Sequence, residues 1–284
     1  MIDSLVRGFN ALTLTGGIQS APLDLVGLFA SYLPLEDRAR LARCCKRFSA
    51  PYAFSVIFAG KINALGARYL SYCLKVQKPI DHSRLQKVTD LDLKNQKLSL
   101  ERLQEITRCF PNLEKLSLSL CDIDDRGVAA LCKFSSLKTL SLQGNSRVTG
   151  ATFDTLPRTL ESLTASQCTL DDQAIGALSS LSRLVSLTIF NNPGIEGTTL
   201  DLLPQSLKSL SLAHCSVGDQ ELLKLKLLKS LQKLDCTGNK KLVSPQIGQL
   251  SPTIQWLSLA RCSLSQSAVG QIQSLTHISK FLHR

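Results

Sequence analysis

From Leu113 onward the apolar positions fall into a fixed frame: Leu113, Leu116 and Leu118, then Cys121 and Ile123. The same Leu-x-x-Leu-x-Leu frame recurs from Leu137, Leu160, Leu184, Leu207, Leu231 and Ile254, at spacings of 24, 23, 24, 23, 24 and 23 residues. An earlier copy starts at Val88, with Leu91, Leu93 and Leu98, and a shortened one at His277-Ile278. Residues two apart on a strand share a face. The fourth and sixth positions of each frame therefore predict a short strand with an inward side, and the residues between them point outward. Self-similarity at this period defines an array of stacked small layers rather than one central core.

The ninth position alternates: Cys121, Asn145, Cys168, Asn192, Cys215, Asn239, Cys262, so the unit is a pair of repeats 47 residues long. An inward Asn can satisfy backbone groups through its amide, whereas Cys is a small, nearly apolar filler. The Cys repeats continue with helix starts: Asp124-Asp125 before Val128 and Leu131, Asp171-Asp172 before Ile175 and Leu178, and Asp219 before Leu222 and Leu225. An Asp at such a place caps free N–H groups and meets the positive end of the helix dipole. The Asn repeats end at Pro157, Pro204 and Pro252, which stop any helix. Longer helices should alternate with shorter, less regular segments.

Over about residues 86–284 the chain resembles the cysteine-containing leucine-rich repeats of the ribonuclease-inhibitor-like class. That resemblance implies an α/β fold: a curved solenoid of about eight repeats over 87–284, with a parallel sheet on the concave side and helices on the convex side.

The residues ahead of the repeats have a different period. Leu25, Leu28, Phe29, Tyr32 and Leu33 are spaced as on a helix, Pro34 interrupts, and a second helix should run from Leu35 through Leu41, Cys45 and Phe48 to Pro51. Pro22, Ser31-Tyr32-Leu33, Asp37, Leu41 and Cys45-Lys46-Arg47-Phe48 are similar, in register and without a gap, to an F-box. Ala21 stands where that family commonly has Leu, and Phe48 where it has Trp. The resemblance implies a small all-helical module that docks onto a Skp1-like adaptor of cullin-based ubiquitin ligases. The implied contact residues are Pro22, Leu25, Leu28, Phe29, Leu33, Leu41 and Cys45. The chain then divides into a leader (1–20), the F-box-like module (21–58), a helical linker and cap (59–86) carrying Ile62, Leu65, Tyr69, Tyr72 and Val76, and the repeat domain (87–284).

Composition narrows the function. Aromatic residues make up only 5 % of the chain, so the core should be mostly aliphatic. No apolar run approaches the ~20 residues of a membrane span, and the first residues lack a secretory pattern. The ten cysteines then read as reduced thiols, in a cytoplasmic protein or one delivered into a host cytoplasm. The four histidines, His82, His214, His277 and His283, have no metal-ligand spacing, and no phosphate-cradling glycine loop is present. The expectation is no catalysis, no metal and no cofactor. Net charge is +11, and residues 222–284 hold 9 Lys/Arg against 1 Asp/Glu. Without interleaved aromatics or a nucleic-acid motif, this reads as a solvated surface rather than a nucleic-acid site.

Binding should fall on the concave face. One outward column reads Asp92, Ser117, Ser141, Thr164, Thr188, Ser211, Asp235, Ser258, and the next Lys94, Ser119, Gln143, Ser166, Phe190, Ala213, Thr237, Ala260. Against this small, polar background Phe190, His214, Trp256 and Arg261 are of the types enriched where partners bind. They are the candidate target-binding residues; a competing placement packs Trp256 under the C-terminal tail near Phe281. Two readings follow. In one, the F-box-like module holds an adaptor and the repeats hold a target protein of a ubiquitin ligase. In the other, the chain is a scaffold or inhibitor that binds through its repeats and meets no adaptor.

Overall fold

The computed structural model describes residues 61–62, 86 and 88–283. The chain separates into two units, Met1–Val88 and Thr89–Arg284. In the first, Lys61–Ile62 is a two-residue strand. Ile62, whose spacing predicts the start of a capping helix, therefore has extended backbone. The F-box-like module, with Pro22, Leu25, Leu28, Phe29, Leu33, Leu41 and Cys45, lies outside the described residues, as does the remainder of the cap up to residue 85.

The second unit is built on nine three-residue strands: β1 (Asp90–Asp92), β2 (Lys115–Ser117), β3 (Thr139–Ser141), β4 (Ser162–Thr164), β5 (Ser186–Thr188), β6 (Ser209–Ser211), β7 (Lys233–Asp235), β8 (Trp256–Ser258) and β9 (Lys280–Leu282). They lie side by side in chain order, all parallel. The register aligns the middle residues into one column: Leu91, Leu116, Leu140, Leu163, Leu187, Leu210, Leu234, Leu257 and Phe281. All eight leucines of that column are buried. A one-residue slip would turn them all to solvent, which is what fixes the register.

Opposite the sheet, the alternation read from the sequence holds. Cys repeats carry an α-helix, α2 (Asp125–Ala129), α3 (Asp172–Ala177) or α4 (Asp219–Leu222), each continued by a 3-10 turn. Asn repeats carry only one 3-10 turn, at Phe153–Thr155, Leu200–Leu202 and Ile247–Gln249. The longest helices flank the array: α1 (Leu100–Cys109), capped by Ser99, and α5 (Gln266–Gln273), capped by Ser265. The core is not wholly aliphatic, because Phe110, Phe134 and Phe153 are its largest fully buried side chains.

The paired aspartates divide their work. Asp124 and Asp171 cap α2 and α3. The second of each pair reaches forward instead: Asp125 accepts from the N–H groups of Thr149 and Gly150, and Asp172 from those of Gly197 and Thr198. Asp219 does the same with Val243 and Ser244, while its own helix begins at Gly218 without a side-chain cap. The expectation that Asp219 caps its helix is thus corrected: it braces the following repeat.

The ninth-position side chains form a continuous bonding line between repeats. Asn145 Nδ2 donates to the Leu118 carbonyl at 2.8 Å and to the Leu142 carbonyl at 2.6 Å, and its Oδ1 accepts from Cys121 N–H at 2.9 Å and Ile123 N–H at 3.3 Å. Asn192 repeats all four bonds one pair later, and Asn239, two pairs later, donates to the Leu212 and Cys236 carbonyls and accepts from Val217 N–H. Each cysteine does half of that work. Its thiol donates backward to the sixth-position carbonyl of the preceding repeat: Cys121 to Leu93, Cys168 to Leu142, Cys215 to Ile189 and Cys262 to Cys236. A thiol has no acceptor strong enough to serve backbone N–H groups as the amide does.

Candidate interaction face

The third and fifth positions of each frame face away from the core. The fifth-position column is the one read from the sequence, Asp92 through Ser258; it is half-buried except at Ser258, which is buried. Asp235 within it is fully engaged: Oδ1 accepts from Thr237 N–H and Oγ1, and Oδ2 accepts from Ser211 Oγ. The seventh-position column is not uniformly outward, as had been expected. Ser119, Ser166 and Ala213 are buried. The chain has left the strand there, and the hydroxyls turn sideways, Ser119 Oγ to Ser141 Oγ at 2.8 Å and Ser166 Oγ to the Thr188 carbonyl at 3.3 Å.

Among the four candidate residues, Phe190 is half-buried just beyond β5. His214 and Arg261 are exposed and occupy the eighth position of their repeats, where the backbone is left-handed, with φ of 53° and 57°. That conformation recurs at every eighth position from Asn95 through Leu120, Gly144, Gln167, Asn191 and Gly238. The two glycines of this row lie beneath neighbours' side chains. A Cβ on Gly238 would come within 2.4 Å of the His214 ring, and one on Gly144 within 2.4 Å of Leu120. His214 is thus partly committed to covering the next turn.

Trp256 stands apart from these three. It is the first residue of β8, at the third position, half-buried on the outward side. Phe281 aligns with Leu257, one residue along, so its side chain belongs to the opposite side of the sheet, where its ring stacks on His283 with centroids 5.0 Å apart. The placement of Trp256 under Phe281 is therefore excluded. The neighbours of Trp256 are instead Lys233 on β7 and Lys280 on β9, aligned with it in register, and Lys233 Nζ lies 4.6 Å from the ring centroid. Phe190 is three strands away, roughly 14 Å across the sheet at the usual strand spacing. The candidates form two groups: Trp256 with two lysines at the strand-entry side, and Phe190, His214 and Arg261 at the strand-exit side. Lys233 and Lys280 carry no local signal of this role, because strand register alone brings them beside Trp256.

The buried thiols are held protonated. Burial pushes Cys121 and Cys168 up to about 11 and Cys215 up to about 12, and it raises Cys236 and Cys262 as well. A nucleophilic cysteine needs the opposite shift. Cys262 is half-buried rather than fully enclosed, and Cys132 is exposed. No group of three or more His, Cys, Asp or Glu that could hold a metal occurs among the described residues. None of their helices is long and apolar enough to cross a membrane.

A consecutive parallel sheet of aligned leucines, backed by short helices and tied by an Asn/Cys line, is the leucine-rich-repeat fold. Two segments, residues 111–132 and 204–225, match the leucine-rich-repeat family directly. Among solved structures, an internalin (inlF) of Listeria monocytogenes superposes with a TM-score of 0.57 at 23 % identity, over 72 % of this chain and 57 % of the internalin. The chain thus spans little more than half the length of that neighbour. Internalin C2 (inlC2) of the same organism aligns at 21 % identity with a TM-score of 0.48, over 72 % of this chain and 74 % of its own. No curated protein matches the sequence.

Proposed function

We propose that the chain recruits one protein to another. The repeat unit captures a target on the open face of its sheet, and the F-box-like segment at 21–58 holds a Skp1-like adaptor of a cullin-type ubiquitin ligase. The observation that supports capture is Trp256: the chain's single tryptophan, half-buried on the outward face, whose middle strands carry only Ser and Thr at the third and fifth positions. An indole left there without a partner is costly, and such rings are favoured anchors at interfaces. A bound target would span both groups of the face, from Trp256 to Phe190, His214 and Arg261. The adaptor half rests on the sequence resemblance of Pro22, Leu25, Leu28, Phe29, Leu33, Leu41 and Cys45. In this reading the chain supplies positioning, and partner enzymes perform the covalent transfer.

The deciding experiment is affinity purification from eukaryotic lysate with the intact chain, a version lacking residues 21–50, and Leu33→Asp. A Skp1-like adaptor should be recovered with the intact chain only. Undiminished adaptor with Leu33→Asp would leave the scaffold reading in its place, with target capture retained and no ligase involved.

A further inference from the structure

The third-position column reads Asp90, Lys115, Thr139, Ser162, Ser186, Ser209, Lys233, Trp256, Lys280. Its middle is neutral and small, and its last three members are a tryptophan between two lysines on adjacent strands. Both lysines are exposed, and neither has an ion-pair partner among the described residues. Away from this corner, Lys224, in the 3-10 turn opposite the sheet, pairs with Asp201, and Lys241 pairs with Glu196 at 3.1 Å. Asp235, the carboxylate nearby on the face among the described residues, accepts from Thr237 and Ser211. Lys233 is held by the indole face alone, a cation–π contact that leaves its ammonium free to bond an incoming anion.

We propose that the target binds here through an acidic segment, with an apolar side chain seated on Trp256 and carboxylates reaching Lys233 and Lys280. This rests on the reading that the sheet face captures a protein. Adjacent strands lie ~4.8 Å apart, so the Cα atoms of Lys233 and Lys280 stand about 10 Å apart on either side of Trp256. A segment crossing the strands with acidic residues on either side of one apolar residue matches that span. Charge complementarity of this kind sets partner choice and association rate, and salt weakens it. Single-stranded nucleic acid is the less fitting occupant. Such sites track many phosphates and stack successive bases on several aromatics, whereas this corner offers one ring and a span shorter than a few nucleotides.

The single tryptophan makes the site its own reporter. The intact protein is titrated with a short peptide carrying Glu on both sides of Leu, with the same peptide bearing Gln for Glu, and with oligo(dT), while Trp256 emission is followed. The acidic peptide should give a saturable change that weakens with added salt and weakens at least tenfold in Lys233→Gln/Lys280→Gln. The Gln peptide should bind at least tenfold more weakly. Both lysines are exposed, so circular dichroism should confirm an unchanged fold. An unaltered titration in the double variant, equal binding of the Gln peptide, or tighter binding of oligo(dT) would each overturn the proposal. Capture of a target by the intact chain, undiminished in the double variant, would overturn this inference while leaving the recruiting function standing.

Discussion

Asn192 Nδ2 donates to the Ala165 carbonyl at 3.0 Å across 27 residues of chain, and its Oδ1 accepts from Cys168 N–H at 3.1 Å. One side chain thus closes a donor and an acceptor of the repeat before it, with no water to replace either, because Asn192 is wholly buried.

Removing that amide should be severe. Asn192→Ala leaves several buried backbone groups unmet, at ~1–3 kcal/mol each, so a loss of about 3 kcal/mol or more is expected by urea unfolding. Cys168→Ala removes one weak thiol donor and a little volume and should cost about 1–2 kcal/mol. Equal losses at the two positions would show that packing, not backbone satisfaction, sets the alternation.

Thiol labelling of the native protein should follow burial. Among the described cysteines, Cys132 should react first, Cys262 more slowly, and Cys109, Cys121, Cys168, Cys215 and Cys236 only on unfolding. Mass spectrometry of a timed labelling series reads this order; early modification of Cys168 or Cys215 would contradict the assigned repeat frame.

The same thiols predict alkaline sensitivity. In the unfolded chain a cysteine ionises near ~8.5, whereas burial holds Cys121 and Cys168 at about 11 and Cys215 at about 12. The unfolded state loses these protons first, so the stabilisation is complete below the unfolded value. It falls as pH rises through the folded values. Urea midpoints should drop between roughly pH 9 and pH 11, and the drop should be shallower in Cys168→Ala/Cys215→Ala. A parallel curve in the variant would refute the linkage.

Two glycines with positive φ should respond differently to alanine. At Gly150, with φ of 85°, a Cβ would meet the Ala174 Cβ at 2.3 Å. Neither partner can move without shifting the repeat, so Gly150→Ala should cost about 2–3 kcal/mol. At Gly238 the obstacle is the exposed His214 ring, and the eighth position already accepts side chains in most repeats. Gly238→Ala should cost about 1 kcal/mol. Thermal unfolding of the two variants gives the ranking.

Trp256→Ala with Arg261→Ala should abolish target recovery in affinity purification and leave adaptor recovery unchanged. Trp256→Ala alone should account for most of the loss, because Arg261 lies beyond the exit of β8 in the left-handed turn. Full target recovery with both replaced would move the capture surface to the helical side or the turns.

The repeat frame was legible because it is written in side-chain type: Leu at the fourth position of nearly every frame and Cys or Asn at the ninth. The alternation of helix with 3-10 turn was equally visible in Asp124, Asp171, Pro157 and Pro204. The left-handed row was not, since its members include Leu120, Gln167, His214 and Arg261, which carry no signature of that conformation. The forward reach of Asp125, Asp172 and Asp219 was hidden for a related reason. A carboxylate in a first helical turn has the same composition signal whether it bonds its own helix or the next repeat. At the binding face, Trp256 was recognised by its size, but its partners Lys233 and Lys280 were not, because their proximity comes from strand register across 23 and 24 residues of chain.

The backward-reaching thiols and two-way amides also constrain how such an array can lengthen. A Cys-type repeat depends on the Asn of its successor for its own N–H groups, as Cys121 and Ile123 depend on Asn145. Insertion of one Cys-type repeat behind another would strand those groups in the interior, whereas duplication of a whole pair preserves every bond. The gene can therefore grow or shrink by units of 47 codons with no break in the interior, and single-repeat gains or losses carry a built-in penalty.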